Sequence, residues 1–171
     1  SYSSKHKEFW YPEYSGSTVY VFNEDYQQTG SFTSGNTHMM GMWVEPDGTY
    51  YTAHWNQGVV RKWQEKSNNQ IWEYSVGGDG AGVCTDGTYV YAMRNSSNTV
   101  FKLNRATGAA VETFTLPNIG GTLYGGLLCI PGRLYYGNAG GAVNYYDLAT
   151  KQLVGNFNSS SGISNMSFDG Q

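Results

Sequence analysis

A pattern that recurs about every 40 residues constrains this chain more than any other feature of its sequence. Four segments can be superposed: Val19-Tyr20-Val21-Phe22-Asn23, Val60-Arg61-Lys62-Trp63-Gln64, Val100-Phe101-Lys102-Leu103-Asn104 and Val143-Asn144-Tyr145-Tyr146-Asp147. Each begins with valine, passes two variable positions, and ends in a large apolar residue followed by Asn, Gln or Asp. The valines are 41, 40 and 43 residues apart, and an aromatic follows each after 13 or 14 residues: Phe32, Tyr74, Phe114 and Phe157. A second register precedes three of the valines. Val44-Glu45-Pro46-Asp47-Gly48, Val83-Cys84-Thr85-Asp86-Gly87 and Leu128-Cys129-Ile130-Pro131-Gly132 each close in a turn and lead into a Tyr-rich run. Two registers shared along one chain identify a repeat architecture, in which each unit buries its apolar face against its neighbours.

Within a repeat the apolar runs are short, partly alternating and bounded by turn residues, as strands require. The third repeat segment predicts strands over 81–86, 88–94, 98–104 and 110–116, joined at Asp86-Gly87, at Asn95 to Asn98, and at Asn104 to Gly108. Four antiparallel strands in about 40 residues make the blade of a β-propeller. Complete blades are expected at 37–76, 78–116 and 121–158. A lone first strand is expected at 163–169, and residues 9–34 supply the strands that it lacks. The expected fold is therefore all-β: a single domain of four four-stranded antiparallel blades, one of them shared between residues 163–171 and 9–34. Sharing a blade removes two free sheet edges.

The run Thr88 to Phe114, TYVYAMRNSSNTVFKLNRATGAAVETF, resembles the broad superfamily of YVTN, NHL and quinoprotein-like propellers: strand, turn, V-x-K-L-N, then an ATG turn before the outer strand. The resemblance covers most of the chain. The tryptophan-docking motif of quinoprotein enzymes and the Gly-His and Trp-Asp signature of WD40 blades do not appear. Propellers of this superfamily serve as binding scaffolds, lectins, lyases and dehydrogenases, so the resemblance implies a fold and not an activity.

Composition narrows the function classes. Charged residues are 13% of the chain and the formal net charge is −3. With no Lys/Arg run, the electrostatic footprint of a nucleic-acid partner is missing. No apolar stretch approaches the length of a membrane-spanning helix. The N-terminal Ser1 to Lys5 is polar, unlike the apolar core of a signal peptide, so the chain is either not secreted or already processed. Low charge and abundant Ser, Thr, Asn and Tyr point to an extracellular setting. Glycosylation sequons stand at Asn95, Asn158 and Asn165.

Loops preceding each innermost strand converge on a propeller's channel, and here they carry His38, Asp79, Gly120 to Thr122 and Gly162 to Ser164. His38 and Asp79 are the only titratable pair among them. A His–carboxylate pair could act as a general base, while the plainer expectation is a hydrogen-bonded loop His and a turn-capping Asp. Trp10, Tyr11, Trp43, Trp55 and Tyr124 sit near strand ends, where rings can form platforms for sugars or protein. The binding candidates are His38, Asp79, Tyr124, Trp10, Trp43 and Trp55; no catalytic residue, metal ligand or cofactor is assigned. Cys84 and Cys129 align in adjacent blades and are expected as buried free thiols, equivalent positions often lying beyond bridging range. The leading expectation is a non-enzymatic extracellular module that binds a glycan, a protein or copies of itself, including filament assembly by strand exchange at 163–169. The alternatives are a sugar-polymer lyase or hydrolase at the channel mouth, using His38, Asp79 and Tyr124, and a segment of a longer repeat array.

Overall fold

The structure is a computed structural model that describes residues 1–35, 37–117, 126–138, 140–159 and Met166. It contains sixteen strands in four antiparallel sheets of four. The first sheet holds β1 (Tyr2–Ser3), β2 (Glu8–Pro12), β3 (Thr18–Phe22) and β4 (Gln28–Thr33). The second holds β5 (Met39–Val44), β6 (Tyr50–His54), β7 (Val59–Trp63) and β8 (Gln70–Ser75). The third holds β9 (Gly80–Thr85), β10 (Tyr89–Arg94), β11 (Thr99–Asn104) and β12 (Ala110–Thr115), with a 3-10 turn over Asn95–Ser97. The fourth holds β13 (Leu127–Ile130), β14 (Arg133–Gly137), β15 (Ala142–Asp147) and β16 (Gln152–Asn158). In every sheet the strands lie in chain order, the arrangement of four propeller blades. The repeated valine pairs with the repeated aromatic in all four: Val19 with Phe32, Val60 with Tyr74, Val100 with Phe114 and Val143 with Phe157.

Of the strand expected at 163–169 only Met166 lies among the described residues, and it is in no strand. The strand flanking β2 is instead β1 of the N-terminal segment, with Tyr2 opposite Phe9 and Ser3 opposite Glu8. Its two residues carry no alternating pattern, so no periodicity announces it.

Side chains alternate across each strand, so one face of a sheet meets the preceding blade and the other the following one. Three apolar clusters fill three junctions. Trp10, Val19 and Val21 pack on Met42, Val44, Tyr50 and Trp63 between the first two sheets. Tyr51, Val60 and Trp72 pack on Val83, Val90 and Leu103 at the second junction. Tyr91, Met93 and Val100 pack on Leu127, Leu134, Tyr136 and Tyr146 at the third. The valine is wholly buried in the first three blades. Among the described residues no apolar cluster joins the fourth sheet to the first.

Gly108 shows how tightly two blades meet. It stands at φ +74°, where a Cβ would lie 2.7 Å from the Trp72 ring of the neighbouring sheet. The glycine closes the β11–β12 turn and leaves room for that indole, whose Nε1 donates to the Arg105 carbonyl at 3.2 Å.

The expectation of free thiols is overturned: Cys84 and Cys129 form a disulfide, with their Cα atoms 5.6 Å apart. Register explains the difference. Cys84 pairs with Tyr91, whereas the residue opposite the equivalent Tyr135 is Leu128, not Cys129. The two cysteines are offset by one residue, and one residue reverses the face to which a side chain points. Cys84 therefore points forward and Cys129 backward across a single junction, between β9 and β13.

The bond closes a loop with a sequence separation of 45. Loop-closure entropy for that length is worth about 4 kcal/mol. The double variant Cys84→Ser/Cys129→Ser is expected to lose roughly 2–4 kcal/mol in urea unfolding. An unchanged midpoint would remove the cross-link from the account of stability.

Candidate functional site

The loops at one end of the blades carry the sequence-derived candidates. His38 is half-buried at φ +59° on the approach to β5, with Thr37 Oγ1 2.9 Å from its Nδ1. Its carbonyl accepts the Trp55 amide at 3.0 Å, and its ring meets that of Tyr14 edge-on at 5.3 Å. Three loops of the first two blades, bearing Tyr14, His38 and Trp55, thus converge. Asp79 belongs to the next blade, where its carbonyl accepts the Asn95 amide at 2.9 Å. No hydrogen bond or ion pair joins His38 to Asp79, and among the described residues no three His, Cys, Asp or Glu side chains cluster as metal ligands. Tyr124 lies outside the described residues.

The tryptophans divide. Trp10 is 1% exposed, and its Nε1 donates to Glu8 at 3.1 Å. It is a wall of the first junction and closed to a ligand, which corrects the expectation of a surface platform. Trp43 is half-buried against the clusters of the second and third junctions. Trp55 keeps partial exposure at the loop end. Of the sequons, Asn95 is buried in the 3-10 turn, Asn158 is exposed at the end of β16, and Asn165 lies outside the described residues.

His54 fixes the His38 loop from beneath. Trp63 Nε1 donates to Thr52 Oγ1 at 2.7 Å, Thr52 Oγ1 donates to His54 Nε2 at 2.7 Å, and His54 Nδ1 donates to the Thr37 carbonyl at 3.1 Å. With Thr52 as the donor to Nε2 the imidazole is neutral, and burial pushes its pKa down from 6.5 to about 4.

The opposite end presents a cleft of about 530 Å³ between the second and third blades, walled by Asp47, Lys62, Asn104 and Arg105. Arg105 in its wall is held by Glu45, 2% exposed, whose Oε1 accepts from Arg105 Nε at 2.7 Å and from the Tyr51 hydroxyl at 2.9 Å. Burial, then the Glu45 charge, pushes the Tyr51 phenol well above its ordinary value. The hydrogen bond to Glu45 raises Arg105 further, and burial lowers Lys62. Charges here are directed at one another, so the cleft acts as a polar clamp between blades.

A third surface escaped the sequence reading. Val90, Ala92, Phe101 and Leu103 carry the third sheet's backward face, and Leu134, Tyr136 and Tyr146 the fourth's, all buried. The corresponding residues of the first sheet are Phe9, Tyr11, Tyr20 and Phe22, none of them buried. Tyr11 is 65% exposed, and Phe9 stacks at 5.4 Å on Tyr26, itself 76% exposed. Tyr2 also meets Phe9, at 5.2 Å and tilted. The signal was present in the sequence as aromatics at strand positions; which face they occupy required the register.

No known family profile matches the chain, and no curated protein does. Solved structures do. Hydrazine synthase from Kuenenia stuttgartiensis superposes with a TM-score of 0.68 at 19% identity, over 94% of this chain and 49% of that one. The WD40 repeats of RRP9 superpose with a TM-score of 0.72 at 11% identity, over 95% of this chain and 51% of that one. The likeness shows a propeller fold, and the chain spans about half the length of each of these structures.

Two predictions follow from the buried polar groups. The unfolded chain binds a proton at His54 near pH 6.5, while the folded chain resists it down to about pH 4. That share of stability is complete above pH 6.5 and is lost as pH falls through about 4, by roughly 3 kcal/mol at most. Urea titrations at pH 7 and pH 4.5 should show this loss in the native chain and a smaller one in His54→Gln. Arg105→Met leaves Glu45 buried with only the Tyr51 hydroxyl. It should cost about 2 kcal/mol, below the 3–5 of a fully buried pair because Arg105 is 35% exposed. Adding Glu45→Gln should restore part of it, and thermal unfolding of the set decides.

Proposed function

We propose that the chain is a non-enzymatic extracellular interaction module that engages a partner through the backward face of its first sheet. The observation that carries this reading is the exposure of Tyr11, with Phe9 beside it only half-buried under the exposed turn residue Tyr26; Phe9 and Tyr11 stand at positions where the third and fourth blades bury their apolar core. An exposed aromatic patch of this kind marks a recognition surface. Tyrosine supplies rigid apolar area and a hydroxyl, the combination that suits both protein surfaces and sugar rings. Partners of both kinds, a glycan or a protein including further copies of this chain, belong to the reading, as does a structural role in an extracellular filament.

The Cys84–Cys129 disulfide supports an oxidising, extracellular compartment. The exposed sequon at Asn158 supports use as a glycoprotein there. Among the described residues no helix is long and apolar enough to cross a membrane. Within the propellers, the V-x-K-L-N and ATG segments of the third blade favour kinship with the YVTN, NHL and quinoprotein-like repeats.

The test is the double variant Tyr11→Ser/Tyr26→Ser. Both rings are exposed, so folding should be nearly unchanged by circular dichroism and thermal unfolding. Binding on a glycan array, or self-association by sedimentation, should be lost or weakened at least about tenfold. Retention of every interaction shown by the native chain would refute the assignment of the surface.

A further inference from the structure

The clamp at the second junction leaves one charge over. Glu45 accepts from the Nε of Arg105 and from the hydroxyl of Tyr51, and Lys62 stands in the same cleft without a carboxylate of its own. Lys62 is half-buried on β7. Among the described residues its hydrogen bonding is limited to the Arg105 carbonyl at 3.4 Å, and it belongs to no ion pair. Its Nζ lies 5.3 Å from the centre of the Tyr51 ring, which supports the long side chain at the cleft wall.

The repeat shows that this arrangement is a departure. Lys102 holds the same position in the third blade, pairing with Tyr91 as Lys62 pairs with Tyr51. On the outer strand Lys102 stands opposite an acid, Glu112, whereas Lys62 stands opposite Trp72. The facing turns differ as well: Arg105 succeeds Asn104 where Leu148 succeeds Asp147. At the second junction an indole has replaced the acid, and the facing turn adds a second cation, 35% exposed.

The walls around these cations offer hydrogen-bonding groups of both kinds. Asn104 Oδ1 accepts the Ala106 and Thr107 amides at 2.9 and 3.0 Å, which fixes the side chain and leaves Nδ2 as an outward donor. Asp47 Oδ1 accepts the amide and hydroxyl of Thr49 at 2.9 and 2.7 Å, while its Oδ2 makes no hydrogen bond among the described residues. Thr88, exposed in the same walls, carries a hydroxyl. The cleft volume of about 530 Å³ is within the range of small-ligand sites, roughly 300–1,000 Å³. Polar side chains rather than rings line it, so it suits a hydroxyl-rich ligand over an apolar one.

We infer that this cleft binds an acidic sugar, with a uronate carboxylate on Lys62 and Arg105 and the ring hydroxyls shared among Asp47, Thr88 and Asn104. A negative charge is favoured because a half-buried ammonium without a counter-charge is costly, and a carboxylate beside it offsets that cost. Burial already pushes Lys62 down from its ordinary value. A sugar is favoured over a bare anion because Asp47 repels a small anion yet accepts from a hydroxyl. Both walls belong to blades within the chain, and the cleft is separate from the aromatic face of the first sheet. The site therefore goes beyond the interaction reading above and does not rest on that face.

An amide-resolved NMR titration of the native chain with a galacturonate disaccharide tests the proposal, with its methyl ester and acetate as controls. The disaccharide should shift the amides of Lys62, Thr88 and Asn104 saturably and leave those of Tyr11 and Tyr26 in place. The ester keeps every hydroxyl and loses the charge, so it should bind at least about tenfold more weakly. Added salt should weaken the acid more than the ester. Lys62→Met breaks no ion pair and should unfold at nearly the native temperature, yet bind the disaccharide at least about tenfold more weakly. Lys62→Arg keeps the charge and should recover most of that loss. The absence of a saturable shift at these amides would overturn the site. Equal binding of acid and ester would overturn the charge contact, and acetate binding as tightly as the disaccharide would overturn the sugar. Should Lys62→Met fail to fold, the comparison of acid and ester on the native chain decides alone. Shifts confined to Tyr11 and Tyr26 would overturn this inference and leave the interaction reading standing.

Discussion

The structure depends on one contact repeated with variation: the forward face of a twisted four-stranded sheet laid on the backward face of the next. No single sheet here could stand alone, because a four-stranded sheet this short buries too little on one side to offset its conformational entropy. Stability is therefore shared between neighbours, as in other repeat arrays. The valine of each third strand is at the centre of the contact, and the aromatic opposite it on the outer strand closes the rim. Phe101 against Tyr74 and Phe114 against Tyr146 show that the rim aromatic is chosen to meet a ring on the following blade.

Polar groups set the register between blades where apolar packing is permissive. Glu45, Arg105 and Tyr51 tie an inner turn to the neighbour's outer turn, and Lys62 and Trp72 both donate to the Arg105 carbonyl. Trp63, Thr52 and His54 do the same for the loop entering β5. Such networks cost more when half-formed than an apolar core would, so they penalise a blade that slips relative to its neighbour.

Strand positions were largely legible in the sequence, because valine spacing and turn residues fall on the same 40-residue frame. The strands expected over 81–86, 88–94, 98–104 and 110–116 match Gly80–Thr85, Tyr89–Arg94, Thr99–Asn104 and Ala110–Thr115 to within about a residue. What a strand faces was harder to read. Trp10 looked like a surface ring from its place near a strand end, yet its pairing with Val21 turns it into the first junction. Cys84 and Cys129 looked equivalent, and a one-residue difference in pairing set them on opposing faces. The aromatic face of the first sheet was invisible for the same reason: periodicity assigns two faces to a strand but does not say which neighbour each meets. Two-residue β1 left no pattern at all.

The covalent bond between β9 and β13 also shapes how the chain would respond to mechanical load. Tension transmitted along the backbone would pass through the sulfur atoms and bypass the whole segment between Cys84 and Cys129. Even with every hydrogen bond torn, that segment could not pay out the roughly 150 Å that 45 residues would otherwise release. Slack would come only from strands outside that segment, which leaves an inextensible waist across the third junction.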